Sequence, residues 1–244
     1  MKCKICSSII KEKAFSKPVK DKKIIFDYYY CSKCNCLFSD GMDKFTNKQY
    51  EDWYSYPEYL KYDNAGTAEY RRFRAIKERE VIAPKSKKIL VHGSGASEVE
   101  KSFKDLGLEV WSTYSNYKEV NCNIDPSKLP IGYFDLIISN EVAEHWANPD
   151  YEFSLIERVL KKNGFFIGST GITDNQLKKG KLEDWIYLDN RCLHAGHVML
   201  WSWEAIDIMA KRYNLINKSI QGDNKFRSGM RVGITQAFII LQKI

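Results

Sequence analysis

Two pairs of cysteines near the start of the chain have the type and spacing of metal ligands. Two residues separate the thiols of each pair, a spacing that folds as a tight turn, so two pairs can present four thiolates to one tetrahedral zinc ion. The four are Cys3, Cys6, Cys31 and Cys34. Cys36 is an alternative to Cys34, although the two-residue gap favours Cys34. Four thiolates leave no open coordination position, which predicts a structural zinc site; unmetallated thiols are the alternative.

Histidines and their neighbours supply the candidates for acid–base chemistry. The chain has four histidines, and a histidine whose pKa is near neutral can take a proton from a hydroxyl or an enolisable carbon. His145 follows Glu144 just past a predicted buried strand, so His145 is the first candidate base, with Glu144 as its partner. His197 is the second candidate, and Tyr187 can hydrogen-bond a substrate. A capping or packing role for His145 and a core role for Tyr187 are the alternatives.

A glycine-rich turn is the third feature that points to ligand binding. His92-Gly93-Ser94-Gly95 follows a short apolar run and precedes a helical pattern. A strand, a Gly-x-Gly turn and a helix start let backbone N–H groups approach a polar or anionic ligand. No Gly-Lys-Ser/Thr follows, so the turn is not a phosphate-binding P-loop. Such turns also join a strand to a helix with no ligand present.

The elements that position these residues alternate between strand and helix patterns from residue 87 onward. Strands are predicted over 88–91, 108–113, 134–139, 164–169 and 235–241, and helices over 68–82, 151–160 and 203–213. This alternation predicts an α/β fold with a doubly wound, mainly parallel sheet. In the helix over 68–82, the predicted apolar face consists of Tyr70, Phe73, Ile76 and Ile82. We divide the chain into a zinc-ribbon-like module (1–47), a helical connector (48–85) and a larger domain (86–244).

Three later stretches resemble, in the right order, motifs of class I S-adenosylmethionine-dependent methyltransferases. They are 125–130, the run 134–137 with the Glu-x-x-Glu-His that follows it, and 159–165. The resemblance covers about residues 86–244 and implies a Rossmann-like fold, S-adenosyl-L-methionine as cofactor and methyl transfer. The cofactor-binding residues that it implies are Gly93, Ser94, Gly95, Tyr114, Asp125 and Asn140. Asp125 would face the adenine.

The chain departs from this family at two positions. Val91 stands two residues before the first glycine, and Tyr114 follows the second strand; the family usually has an acid at both places. A neutral residue offers no bidentate acceptor for the ribose hydroxyls. The departures therefore predict altered, weakened or lost cofactor binding.

The order of the segments resembles a narrower group, the short relatives of sugar C-methyltransferases. These have a four-cysteine module, then Tyr-rich helical residues, then a methyltransferase domain. Trp185-x-Tyr187 and His197-Val198 are similar to the late substrate-side segment of these relatives. The resemblance implies a sugar or sugar nucleotide as the acceptor, and the position of His145 predicts a histidine as the general base.

Charge and composition leave two other functions open. Residues 1–48 hold 11 of the 38 Lys/Arg and 5 of the 31 Asp/Glu, so most of the net charge of +7 lies there. A basic zinc module can bind nucleic acid, which is the second hypothesis. The third, which the two missing acids suggest, is a degenerate methyltransferase fold that acts as a non-catalytic binding subunit. No run reaches the roughly 20 apolar residues of a membrane helix. The start of the chain lacks a signal-peptide core, so we expect a cytoplasmic protein without membrane contact.

Overall fold

The computed structural model describes residues 1–19, 24–54, 68–93, 97–113, 124–178, 180–189, 192–193, 196–219 and 236–244. Among these residues, the strands form one four-stranded and one six-stranded sheet. No helix in the described ranges is long and apolar enough to cross a membrane.

The smaller sheet is built mainly from the cysteine-rich part of the chain. Its strands, in spatial order, are β1 (Phe15–Val19), β2 (Ile24–Tyr30), β3 (Leu37–Ser39) and β8 (Met199–Leu200). All of the pairings are antiparallel. Strand β2 continues without a break through Asp27, and its Phe26 and Tyr28 are fully buried.

The larger sheet carries the α/β part of the fold. Its strands are β4 (Lys88–His92), β5 (Glu109–Thr113), β6 (Phe134–Asn140), β7 (Leu160–Gly171), β9 (Leu215–Asn217) and β10 (Gln236–Lys243). They lie in the order β5-β4-β6-β7-β10-β9. The first four are parallel, whereas β10 pairs antiparallel with both β7 and β9. The sheet is therefore mixed, with four neighbouring parallel strands on one side and the antiparallel strand β10 next to them.

The three helices predicted over 68–82, 151–160 and 203–213 are present among six helices in the described residues. The six are α1 (Asn47–Tyr54), α2 (Ala68–Ile82), α3 (Ser97–Asp105), α4 (Pro149–Val159), α5 (Thr173–Leu177) and α6 (Trp203–Arg212). Asn148 caps α4 by accepting a hydrogen bond from the N–H of Tyr151, and Pro149 occupies the first turn, where no N–H is needed. Ser202 caps α6 in the same way through the N–H of Ala205.

The predicted apolar face of α2 is right only in part, since Ile76 and Ile82 pack against the core but Phe73 does not. Phe73 is 46% exposed, whereas Arg74 and Glu78 are buried. Hydrophobic periodicity placed the charged residues outward because it does not register a buried ion pair. Arg74 Nε donates to Glu78 Oε1 at 2.8 Å, so the two charges satisfy each other inside the protein.

The cysteine module and the larger domain share one hydrophobic core. That core contains Cys3, Ile5 and Phe38 from the module together with Trp146 and Trp201 from the larger domain. Strand β8 also lies beyond the predicted module boundary, since Leu37 pairs with Leu200 and Phe38 with Met199. The residues before and after position 86 are thus joined by both packing and sheet hydrogen bonds.

Candidate functional site

The cysteines converge on one point, as their spacing predicts. The sulfur atoms of Cys3, Cys6, Cys31 and Cys34 all lie within 4.8 Å of one another. Cys3 and Cys34 are 3.6 Å apart, and Cys6 and Cys31 are 3.5 Å apart. Tetrahedral zinc with bonds of about 2.3 Å separates its sulfur ligands by about 3.8 Å, so the cluster fits the ion.

The two Cys-x-x-Cys turns have the same backbone geometry. Each is followed by a residue in the left-handed region, Ser7 with φ 60° and Asn35 with φ 54°. In each, the N–H of the first cysteine donates to a carbonyl five residues on, Cys3 to Ser8 and Cys31 to Cys36, both at 2.9 Å. This shared turn aims both pairs of thiols at the same point.

Cys36 forms a fifth member of the cluster. Its sulfur lies 3.4 Å from that of Cys34 and 3.7 Å from that of Cys3, and the side chain is fully buried. Hydrogen bonds with Cys34 and Cys36 lower the pKa of the Cys3 thiol, which favours a thiolate there. Cys36 therefore contacts the four-cysteine set along one edge.

The carboxyl ends of β4 and β5 meet around His92. Its Nδ1 lies 2.7 Å from Thr113 Oγ1, and its Nε2 lies 2.9 Å from Glu152 Oε2. The N–H of Gly93 donates to Thr113 Oγ1 at 3.2 Å. A consistent assignment has Thr113 donating to His92 Nδ1, and His92 donating through Nε2 to Glu152. Thr113 thus fixes the turn that contains Gly93, directly before the position at which Tyr114 replaces the family's acid.

At the end of β6, Asn140 joins the larger sheet to α2. Its Oδ1 accepts from Arg74 Nη2 at 3.1 Å, and its Nδ2 donates to Glu78 Oε2 at 2.9 Å. Burial disfavours the charge of Arg74, but Glu78 and Glu141 outweigh it and raise the pKa of Arg74. The connector helix thereby places a fixed charge pair at the sheet edge.

Glu141 is the next residue along this edge. Its backbone φ is 56°, unusual for a residue with a Cβ. Its carboxylate accepts from Ser169 Oγ and from the Tyr187 hydroxyl, both at 2.6 Å. Trp185 stacks on Tyr187, with ring centroids 5.1 Å apart. A strained residue held by several hydrogen bonds at a sheet edge is typical of a functional site.

Glu144 and the two histidines form a cluster behind Glu141. Glu144 is 1% exposed, and its Oε2 accepts from Thr170 Oγ1 at 2.9 Å. Burial and the charge of Glu141 raise the pKa of Glu144. The ring centroids of His145 and His197 are 5.0 Å apart. Desolvation and the neighbouring His145 lower the pKa of His197 to about 3.

The structure brings most of the candidate residues to one edge of the larger sheet. His145, His197, Glu144 and Tyr187 lie together, and Gly93 and Asn140 lie at the same carboxyl edge. Asp125 caps a short 3-10 turn by accepting from the N–H and hydroxyl of Ser127. Ser94, Gly95 and Tyr114 lie outside the described residues.

Sequence reasoning missed four residues of this edge: Arg74, Glu78, Glu141 and Glu152. Glu141 begins the Glu-x-x-Glu-His stretch, so its place after the strand was a usable signal. The other three had none, because their roles depend on how α2 and α4 pack against the sheet.

Comparison with known proteins agrees with this architecture. Residues 96–168 match a family model described as a methyltransferase domain, and a search of curated proteins gives no match. The fold is similar to that of a protein from Pyrococcus horikoshii OT3, with a TM-score of 0.52 and 18% identity over 79% of this chain and 99% of that one. It is also similar to that of the plantazolicin methyltransferase BpumL in complex with SAH, with a TM-score of 0.54 and 15% identity over 79% of this chain and 93% of that one.

A third similar structure is the 1,6-didemethyltoxoflavin-N1-methyltransferase of Burkholderia thailandensis with bound 1,6-didemethyltoxoflavin and S-adenosylhomocysteine. The TM-score is 0.55 at 10% identity, over 94% of this chain and 99% of that one. At such identities the likeness shows the fold, which is Rossmann-like. Together with the matched domain, it supports a methyltransferase enzyme.

Proposed function

We propose that the chain transfers a methyl group from S-adenosylmethionine to a small polar acceptor. The observation that carries this proposal is the strained Glu141 and its hydrogen-bonded carboxylate at the carboxyl edge of the parallel strands. Ligands of open α/β sheets bind at this edge. The methyltransferase domain match and the fold support the reaction class.

The charges at the edge suit the methyl donor, whose sulfonium makes the methyl group transferable. The negative charges of Glu78 and Glu141 exceed the positive charge of Arg74, so the edge attracts a cation. Gly93 bends the chain after β4 with a φ of 71°, and Thr113 fixes that bend. Neither Thr113 nor the following Tyr114 has a carboxylate for the ribose, so we expect weaker binding of that part of the donor.

For the acceptor we propose a sugar or sugar nucleotide. Tyr187, Ser169 and Glu141 form a hydrogen-bonded group of hydroxyls and a carboxylate beside the Trp185–Tyr187 stack. Hydroxyl-rich ligands pair with such groups. Glu141 is half-buried and is the member that an acceptor can reach, whereas Trp185 and Tyr187 are buried and support it from the core. The similar toxoflavin enzyme acts on a different small molecule, so the fold itself does not choose the acceptor.

We propose His145 as the base that takes the acceptor proton. It is half-buried, whereas His197 is 7% exposed and desolvation lowers the pKa of His197 to about 3. A base with so low a pKa holds a proton poorly at neutral pH. His197 and Glu144 then position the ring of His145. With nucleoside diphosphate sugars as acceptors, His145→Ala should lower turnover about 10²–10⁴-fold and leave donor affinity unchanged.

The cysteine cluster supports a structural role for zinc in this enzyme. It shares the core of the larger domain, and Tyr28 of β2 donates to the carbonyl of His197 at 2.6 Å. A zinc ion held by four thiolates would fix the turns on which this contact depends.

Calorimetric titration with S-adenosylmethionine and S-adenosylhomocysteine tests the proposal. The first ligand carries the sulfonium charge and the second does not, so Glu141→Gln should weaken the first about tenfold and the second little. Glu157→Gln removes an equal charge at a site paired with Lys243 and is the matched control. If neither ligand binds the wild type, the domain is not a transferase of this kind. Equal weakening of both by Glu141→Gln would place the sulfonium elsewhere.

A further inference from the structure

Three side chains that suit a metal ion converge behind the sheet edge, apart from the cysteines. One carboxylate oxygen of Glu144 and one ring nitrogen each of His145 and His197 lie within 4.8 Å of one another. Glu144 Oε1 and His197 Nε2 are 3.9 Å apart. This distance is too long for a hydrogen bond and short enough for one ion to contact both atoms.

Backbone carbonyls fix how the two histidines present their nitrogens. His197 Nδ1 lies 2.9 Å from the carbonyl oxygen of Tyr187, and His145 Nδ1 lies 3.3 Å from that of Gly196. A carbonyl only accepts, so both rings carry their proton on Nδ1 and their lone pair on Nε2. Metal-binding histidines are commonly fixed in this way.

The carboxylate of Glu144 is also held in one orientation by a hydrogen bond. Thr170 donates its hydroxyl to Glu144 Oε2, which leaves Oε1 on the side of His197. One carboxylate oxygen and two ring nitrogens thus converge in a place where Glu144 and His197 are almost completely buried. Burying such a group without a cation or a proton between its members is unfavourable, and a divalent ion would compensate it.

We propose that Glu144, His145 and His197 bind one divalent first-row transition ion. Two imidazoles and one carboxylate suit zinc, iron(II), manganese(II) or cobalt(II) better than magnesium, and three protein ligands leave positions open for another molecule. The half-buried His145 marks the side from which such a molecule would arrive.

The use of this ion in catalysis rests on the proposed function. An acceptor hydroxyl bound to the ion loses its proton to water more readily. Its oxygen then forms a bond to the methyl carbon, and the electrons of the breaking carbon–sulfur bond go to sulfur. With the ion in place, His145 is a ligand, and this role replaces that of a free base.

Cobalt(II) titration of protein whose cysteine cluster is already loaded with zinc tests the site. We expect about one further equivalent to bind, with visible d–d absorption and without the sulfur-to-cobalt charge-transfer band of a thiolate site. Glu144→Gln, His145→Ala and His197→Ala should each weaken cobalt binding at least about tenfold, since even outer-shell changes cost 10–100-fold. Glu152→Gln is the matched control, because it alters a His–Glu contact that lies outside this cluster.

Thermal unfolding of each variant shows whether it is folded. Glu144→Gln retains an acceptor for the Thr170 hydroxyl, and His145→Ala changes a half-buried residue. These two variants therefore test the site even if His197→Ala does not fold. Absence of cobalt uptake, a charge-transfer band alone, or uptake that none of the variants alters would overturn the proposal. S-adenosylmethionine titration in the presence of a chelator separates the two proposals. If the donor binds there and the cobalt titration shows no uptake, the methyltransferase proposal stands and the metal site is refuted.

Discussion

Replacing Gly93 with alanine tests the turn that follows β4. Gly93 has a φ of 71°, a conformation that costs a residue with a Cβ about 1–2 kcal/mol. A Cβ at this position would lie 2.5 Å from Val142 Cγ1, whereas carbon atoms pack best at about 3.5–4.0 Å. Val142 is 8% exposed, so its side chain has little room to move. Because overpacking costs about 1–3 kcal/mol, Gly93→Ala should lower the free energy of unfolding by about 2–5 kcal/mol.

Two further variants separate the backbone cost from the clash. Val142→Ala removes Cγ1, so Gly93→Ala in that background should cost only the backbone part, about 1–2 kcal/mol. Gly107 has a φ of 72° with nothing within 4 Å of an added Cβ. Gly107→Ala is therefore a matched control that carries the backbone cost alone.

Urea unfolding followed by tryptophan fluorescence measures these differences as shifts of the midpoint. If Gly93→Ala is no more destabilising than Gly107→Ala, then Val142 does not confine the turn and the packing argument fails. Titration of folded Gly93→Ala with S-adenosylmethionine adds a functional readout, since displacement of the turn should also weaken donor binding.

Three other predictions concern the rest of the molecule. Cys31→Ser should reduce bound zinc from one equivalent to below about half, whereas Cys36→Ser should retain it; elemental analysis decides, and full occupancy in Cys31→Ser would refute the ligand set. Burial opposes the charge of Asp135, but Lys161 and the N–H groups of Lys87 and Lys88 lower its pKa. Its carboxylate therefore stabilises the fold above the unfolded pKa, and this contribution is lost as the pH falls through the folded pKa. Asp135→Asn should cost about 1 kcal/mol near pH 7 and less below about pH 4, by urea midpoints; a cost that does not change with pH would refute this. An alanine Cβ at Gly171 would lie 2.7 Å from Trp185 and 2.8 Å from Tyr187, so Gly171→Ala should cost about 1–3 kcal/mol and alter near-ultraviolet circular dichroism; an unchanged spectrum would contradict it.

The sequence was sufficient wherever local pattern decides structure. The apolar runs before Gly93 and before Glu141 are strands β4 and β6, and the periodic stretch 68–82 is α2. The cysteine spacing correctly predicts four converging sulfur atoms, because each turn is encoded by its own few residues. His145 and His197, far apart in sequence, come together because both lie at the carboxyl edge of the sheet.

What the sequence could not give are contacts between distant charged groups. In the sequence, Arg74 and Glu78 look like an ordinary polar pair on the surface of a helix. In the structure they are buried, and both hydrogen-bond to Asn140. Thr113 takes its role from His92 and Gly93, which reach it only through strand pairing. Leu160 was predicted as the last residue of a helix, whereas in the structure it is the first residue of β7. Its pairing with Phe134 is separated from the rest of the ladder by an irregularity, which the sequence pattern does not show.

The pairing of Phe38 with Met199 has a consequence for how the chain is synthesised. While the ribosome is still making the larger domain, β3 presents Leu37 and Phe38 on an open sheet edge, since the strand that covers it has not yet emerged. Open apolar edges recruit other chains, and contacts so distant in sequence form late. Fragments that end before Met199 should accordingly aggregate, even when their cysteines are supplied with zinc.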